Sequence, residues 1–186
     1  MYSSPNASTT WTPLDTTGVT NEPLPVESVM ALAPHGTAGA LLAFEDLAPQ
    51  PPPKRRARVT RINTNGTFSD PGLAGTSVVT VHRRDTNTDV YVWDAIKSLA
   101  VLELAGRTWV VLNVLAGPDA PIFVLSIGPT ESAWRLHPGP LPSGQLNRQG
   151  CTTSRARLSS WQGKPVVVWA ENCGGPHTDL VVMQLQ

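Results

Sequence analysis

The residues whose types could do chemistry together are Glu45-Asp46, Asn113, Asp119 and Glu171-Asn172, with His177 and Asp179 close behind. A ring of carboxylates and amides could hold a polyol or a cation such as calcium, which takes roughly six to eight oxygen ligands. Paired carboxyl groups across a cleft could instead serve as acid and base, with Glu45, Glu171 or Asp46 as the pair. The plainer alternative is that each polar residue caps a strand and hydrogen-bonds loop N–H groups. Two of the six tryptophans, Trp93 and Trp161, lie in irregular segments and are candidates for stacking on a sugar, whereas Trp109, Trp134 and Trp169 sit inside apolar patterns and read as core. The run Lys54-Arg55-Arg56-Ala57-Arg58 places Arg56 and Arg58 on one side of a strand, as a solvated edge or as an anion site. His35, His82, His137 and His177 lack HxH or HExxH spacing, and no GxSxG or phosphate-loop pattern occurs, so neither a catalytic set, nor a metal site, nor a cofactor is assigned.

The elements that must position these groups are short. Apolar runs of about four to seven residues, rich in Val, Leu and Trp, are bounded by Gly, Pro, Asn or Asp, and none sustains a 3.6-residue period. The expected fold class is all-β. Ser28, Leu32 and Glu45 recur as Ser154, Leu158 and Glu171 at one common offset, and Ser98, Leu102 and Asn113 supply a copy between them. Each repeat reads as a first strand (28–33, 98–104, 154–160), a turn at Gly36, Gly106 or Gly163, a second strand (40–45, 109–114, 166–171) and a third (56–62, 122–127, 180–185). On this alignment Glu45, Asn113 and Glu171 are equivalent. The second strands are apolar on both faces, as in Val166-Val167-Val168-Trp169, and so need cover on both sides. Radially stacked, meandering four-stranded sheets provide it, which is the β-propeller arrangement.

A fourth strand is expected at 132–136 for the second repeat and at 77–84 for the first, with 87–95 as a competitor. For the third repeat the expected closing strand is 10–14, Thr10-Trp11-Thr12-Pro13-Leu14, after a flexible start at 1–9. The domain then spans 10–186, with repeats at about 28–84, 98–137 and 154–186. The stretches Trp134-Arg135-Leu136-His137-Pro138 and Ser154 through Glu171 resemble a blade of the bacterial sialidase-like or BNR-like propeller repeats. The resemblance implies propeller blades. The family's Asp box, S-x-D-x-G-x-x-W, is missing, with Ser69-Asp70-Pro71-Gly72 as its remnant. A sialidase mechanism also asks for a tyrosine nucleophile, and the chain has only Tyr2 and Tyr91.

Three blades are too few to close a ring, since propellers have about four to eight. A homodimer completing six blades is expected. About a turn at Gln162-Gly163, Cys151 and Cys173 fall opposite each other, so a disulfide is expected, and with it an extracytoplasmic compartment. Fourteen basic residues against fourteen acidic ones give a net charge of zero, which argues against nucleic acid and anionic membrane as partners, and no run is long and apolar enough for a membrane helix. The combined expectation is a non-catalytic binding or scaffold module showing loops on one face to a glycan or protein. An atypical sialidase-like glycoside hydrolase and a purely structural segment are the alternatives.

Overall fold

The computed structural model describes residues 29–37, 39–48, 54–115 and 120–185, which form fourteen strands and no helix. The first sheet is a meander of β1 (Met30–His35), β2 (Gly39–Ala48), β3 (Lys54–Ile62) and β4 (Phe68–Ser69). A separate hairpin, β5 (Val81–Arg83) and β6 (Thr88–Val90), follows. The second sheet is the meander β7 (Ala95–Leu104), β8 (Arg107–Leu115), β9 (Ile122–Ile127) and β10 (Arg135–His137). In the third, β13 (Lys164–Asn172) lies between β14 (Asp179–Gln184) and a broken first strand, β11 (Thr152–Thr153) and β12 (Arg157–Trp161). No sheet is closed, and the three stack face to face as propeller-type blades.

Alternation along the middle sheet explains the stack. In β8, Val110, Leu112 and Val114 pack toward the first sheet, while Trp109 and Val111 pack toward the third. In β9, Phe123, Leu125 and Ile127 take the first side, and Ile122 and Val124 the other. A strand covered on both faces reads as a nearly continuous apolar run, and every residue of β9 is buried, Ser126 being its one polar member. Trp109, Trp134 and Trp169 are core residues as expected. Trp93 is a correction: it is buried against Phe123, with ring centroids 5.8 Å apart, because its backbone exchanges two hydrogen bonds with Arg55.

The outer edges differ from expectation. The second sheet gains its fourth strand at β10, near the expected place. In the first, three pieces of one passing chain line β3 in turn: β4 opposite Arg61 and Ile62, Val78 opposite Arg58, and Trp93 opposite Arg55. The expected strand at 77–84 therefore pairs only at its start, and β5–β6 leaves the sheet. Among the described residues the third sheet has no outer strand beyond β14. The closing strand expected at 10–14 and the flexible start at 1–9 lie outside the described residues.

The hairpin turns correct the repeat alignment. Ala105-Gly106 and Gln162-Gly163 are both two-residue turns with positive φ throughout, 52° and 70° against 51° and 72°. This is the type I′ geometry that matches strand twist. Counted outward from these matching turns, Asn113 corresponds to Ala170, and Glu171 falls one residue further along. One residue flips a side chain to the opposite face. Asn113 accordingly points toward the third sheet, whereas Glu171 shares the face of Val167 and Trp169 and points back toward the second.

Candidate functional site

The ends of the second strands and the starts of the third and first strands lie at one end of the stack, where the sequence places its polar residues. Glu45 is buried at the end of β2, 3.0 Å from Arg55 Nε. Its neighbour Asp46 projects from the other side of β2, fully buried, with Oδ2 2.6 Å from Arg56 Nη2 and 3.6 Å from Arg58 Nη1. β3 supplies all three arginines because its register sets Arg56 opposite Asp46 and Arg58 opposite Phe44.

Asn113 is fully buried and joins two sheets. Its Nδ2 donates to the Ser154 carbonyl at 2.8 Å and to Thr153 Oγ1 at 3.2 Å. The break between β11 and β12 is held from the same side, since the Ala156 N–H donates to Ser98 Oγ at 3.0 Å and Lys97 Nζ to the Thr153 carbonyl at 2.6 Å. Thr153 in turn pairs with Glu171, so Asn113 and Glu171 belong to one connected network.

Arg148 organises the third sheet's end. Its Nε donates to Glu171 Oε1 at 2.6 Å and its Nη2 to Asp179 Oδ2 at 2.5 Å. Trp169 Nε1 also donates to the buried Glu171, at 3.2 Å. Asn172 shapes the following loop: its Oδ1 accepts from the Gly174 N–H, and its Nδ2 donates to the carbonyls of Gly175 and His177. Cys151 and Cys173 form the expected disulfide beside it, with Cα atoms 4.2 Å apart. The His177 side chain is exposed.

The structure thus brings Asn113, Glu171, Asn172 and Asp179 together, and it holds Glu45 and Asp46 separately in the first sheet. Trp161 is exposed, but it borders the turn at Gln162-Gly163, at the opposite end from the Cys173 loop. Asp119 lies outside the described residues. Among the described residues no group of three or more His, Cys, Asp or Glu side chains converges as a metal site. The sequence reading missed Arg148, Thr153 and Lys97, whose partners lie far away along the chain; the polar run Gln145-Leu146-Asn147-Arg148 was the one local signal. Within that run Asn147 is buried and accepts from the Ile122 N–H at 2.8 Å.

A second polar cluster lies at the turn end. Arg107 grips Glu131 through two hydrogen bonds of 2.7 Å and donates from Nε to Ser126 Oγ at 3.2 Å. The Ser126 hydroxyl also hydrogen-bonds to His137 Nε2 at 2.8 Å, and the imidazole lies on Trp109 with centroids 4.4 Å apart. Burial, helped by Arg135 and Arg107, pushes His137 down to about 4. Ser126 is fully buried, so the pair is a packing device and offers no accessible nucleophile. Because the folded state favours neutral His137, its contribution is intact above the unfolded value of about 6.5 and is lost as pH falls from there to about 4. Allowing for solvent screening, the expected loss is about 1–2 kcal/mol. Urea titrations at pH 7 and pH 4.5 measure it, and His137→Phe, which keeps a ring on Trp109, should reduce the difference; an unchanged difference would remove His137 as its source.

No protein-family model matches the chain, and no curated protein is similar to it. Among solved structures it is similar to the Bombyx mori GH32 beta-fructofuranosidase BmSUC1, with a TM-score of 0.45 and 11% identity over 83% of this chain and 33% of that one. A mutant of the same enzyme in complex with sucrose gives 0.45 and 12% over 82% and 32%. The chain spans about a third of that enzyme's length.

Proposed function

We propose that this chain is a non-catalytic binding or scaffold module of propeller type, presenting its disulfide-clamped loop end to a glycan or protein partner. One observation carries the reading: Glu45, Asp46, Glu171 and Asp179 are each engaged by an arginine. Glycoside hydrolysis needs two carboxyl groups facing each other across a cleft, about 5–5.5 or 6.5–9.5 Å apart. Here Glu45 and Asp46 leave opposite faces of β2, and Glu171 is turned in toward the middle sheet. Glu45 and Asp46 tie β2 to β3, while Glu171 and Asp179 hold the loop that carries Arg148, and a locked loop end is suited to recognition because little ordering cost remains on binding. The disulfide fits an extracytoplasmic setting.

The test is to assay the full chain for glycan retention on an array and, in parallel, for release of sugar from aryl glycosides, sialosides and sucrose. Retention without turnover, weakened by His177→Ala or Asp179→Ala in a chain of unchanged circular dichroism, is the expected result. Turnover abolished by Glu45→Gln or Glu171→Gln would replace the binding reading with the hydrolase one.

A further inference from the structure

The two end faces of the stack carry apolar residues where the middle sheet buries its own. Ala170 occupies in β13 the place of Asn113 in β8, and their partners Leu180 and Ile122 are therefore equivalent, as are Val182 and Val124. Ile122 and Val124 are completely buried against the third sheet, yet Leu180 and Val182 are 73% and 62% exposed. At the other end, Phe44 and Leu112 hold the same position after the first residues of β2 and β8. Their partners Met30 and Leu99 are equivalent, and so are Leu32 and Val101. Leu99 and Val101 are buried against the first sheet, while Met30 and Leu32 are 62% and 68% exposed.

Each end face is thus one half of an interface the chain already makes twice internally. The third sheet's open face corresponds to the side of the middle sheet that receives the third. The first sheet's outer face, where Phe44 and Asp46 are buried but Met30 and Leu32 along β1 are exposed, corresponds to the side of the middle sheet that receives the first. We infer that a second copy of this chain docks head to tail, with the Leu180–Val182 face of one copy on the Met30–Leu32 strip of the other. The arginines on the first sheet's face do not oppose this, because Arg56 and Arg58 are shared on Asp46 beneath β3, leaving the apolar strip along β1 open. Copy number follows from closure. The described residues of one copy supply three blade-type sheets, those of two supply six, and those of three would supply nine, while rings hold about four to eight. Two copies related by a twofold axis then make the same contact twice. This inference stands apart from the binding reading, and it holds or fails whatever the loop end recognises.

The experiment uses the full 186-residue chain. Light scattering over a dilution series should give twice 19.9 kDa. Leu180→Asp with Val182→Asp removes one side of the contact, and Met30→Asp with Leu32→Asp removes the other. All four positions are exposed, so the core is untouched. Each double variant alone should be monomeric, with self-association weakened on the order of 100-fold or more. Mixed together, the two variants retain one intact contact and should recover a dimer, which a misfolded chain cannot do. A wild-type chain that stays at 19.9 kDa at tens of micromolar overturns the inference. A dimer that survives in either variant alone, or a mixture that stays monomeric, overturns the head-to-tail arrangement.

Discussion

Replacing Asp46 with Ala should lower unfolding free energy by about 3–5 kcal/mol, the range for removing one partner of a buried ion pair. Asp46 is fully buried, and the side chains of Arg56 and Arg58 are only 12% and 16% exposed. Both arginines already carry a buried Nε without a partner, so the lost carboxylate cannot be replaced by a rearrangement within the cluster. Urea denaturation at neutral pH measures the effect, and a loss below about 1 kcal/mol would mean that water reaches the guanidinium groups freely. The middle sheet supplies a control, since the places of Asp46 and Arg58 are taken there by Val114 and Phe123. Asp46→Val with Arg56→Leu and Arg58→Phe removes the charges together and should return stability to within about 1 kcal/mol of the parent, or above it. The contrast would show that the cluster selects a register more than it adds stability. A one-residue slip of β3 on β2 would turn Arg56 and Arg58 toward the middle sheet, where Ala57 and Val59 now pack.

The same middle sheet shows what could be read from residues alone. β8 and β9 are nearly continuous apolar runs, interrupted by Asn113 and Ser126, because both faces are covered, and a run of Val, Leu and Ile between turn residues has few other solutions. Asn113 stood out there as a polar residue near the end of such a run, and it is one of the residues, with Lys97 and Ser98, that join two sheets. The split outer edge of the first sheet was not legible. Its pieces are one or two paired residues long, and the Thr- and Asn-rich β5–β6 hairpin interrupts them, so no period is long enough to register. The equivalence of Glu171 with Asn113 failed for a different reason. Matching by residue type let the offset slide by one, whereas the two turns, Ala105-Gly106 and Gln162-Gly163, fix it by geometry. Arg148 was hidden because a counter-ion across a loop obeys no spacing rule, and its role exists only once β13 and β14 bring Glu171 and Asp179 opposite each other.

Removing the Cys151–Cys173 disulfide should lower stability by about 3 kcal/mol, since it closes an interval of 22 residues. It lies one step beyond the Thr152–Asn172 pair, at the frayed start of the broken strand, where β11 contributes only two residues of ladder. Cys151→Ser with Cys173→Ser should therefore act unevenly. Amide exchange should accelerate at Thr152, Thr153 and the 173–178 loop, while β12 near the Gln162-Gly163 turn keeps its protection. Thermal melts of the double variant and of the parent in reductant should agree. A fall below about 1 kcal/mol would show that Arg148, Asn172 and Asn113 hold this end without the bond. The expected value is a large share of the roughly 5–15 kcal/mol available to a domain. In a reducing compartment the chain would lose that share and the order of the loop end together. In an oxidising one the bond fixes the segment on which Asn172, His177 and Asp179 are displayed, so the redox setting decides whether the candidate recognition surface exists in its ordered form.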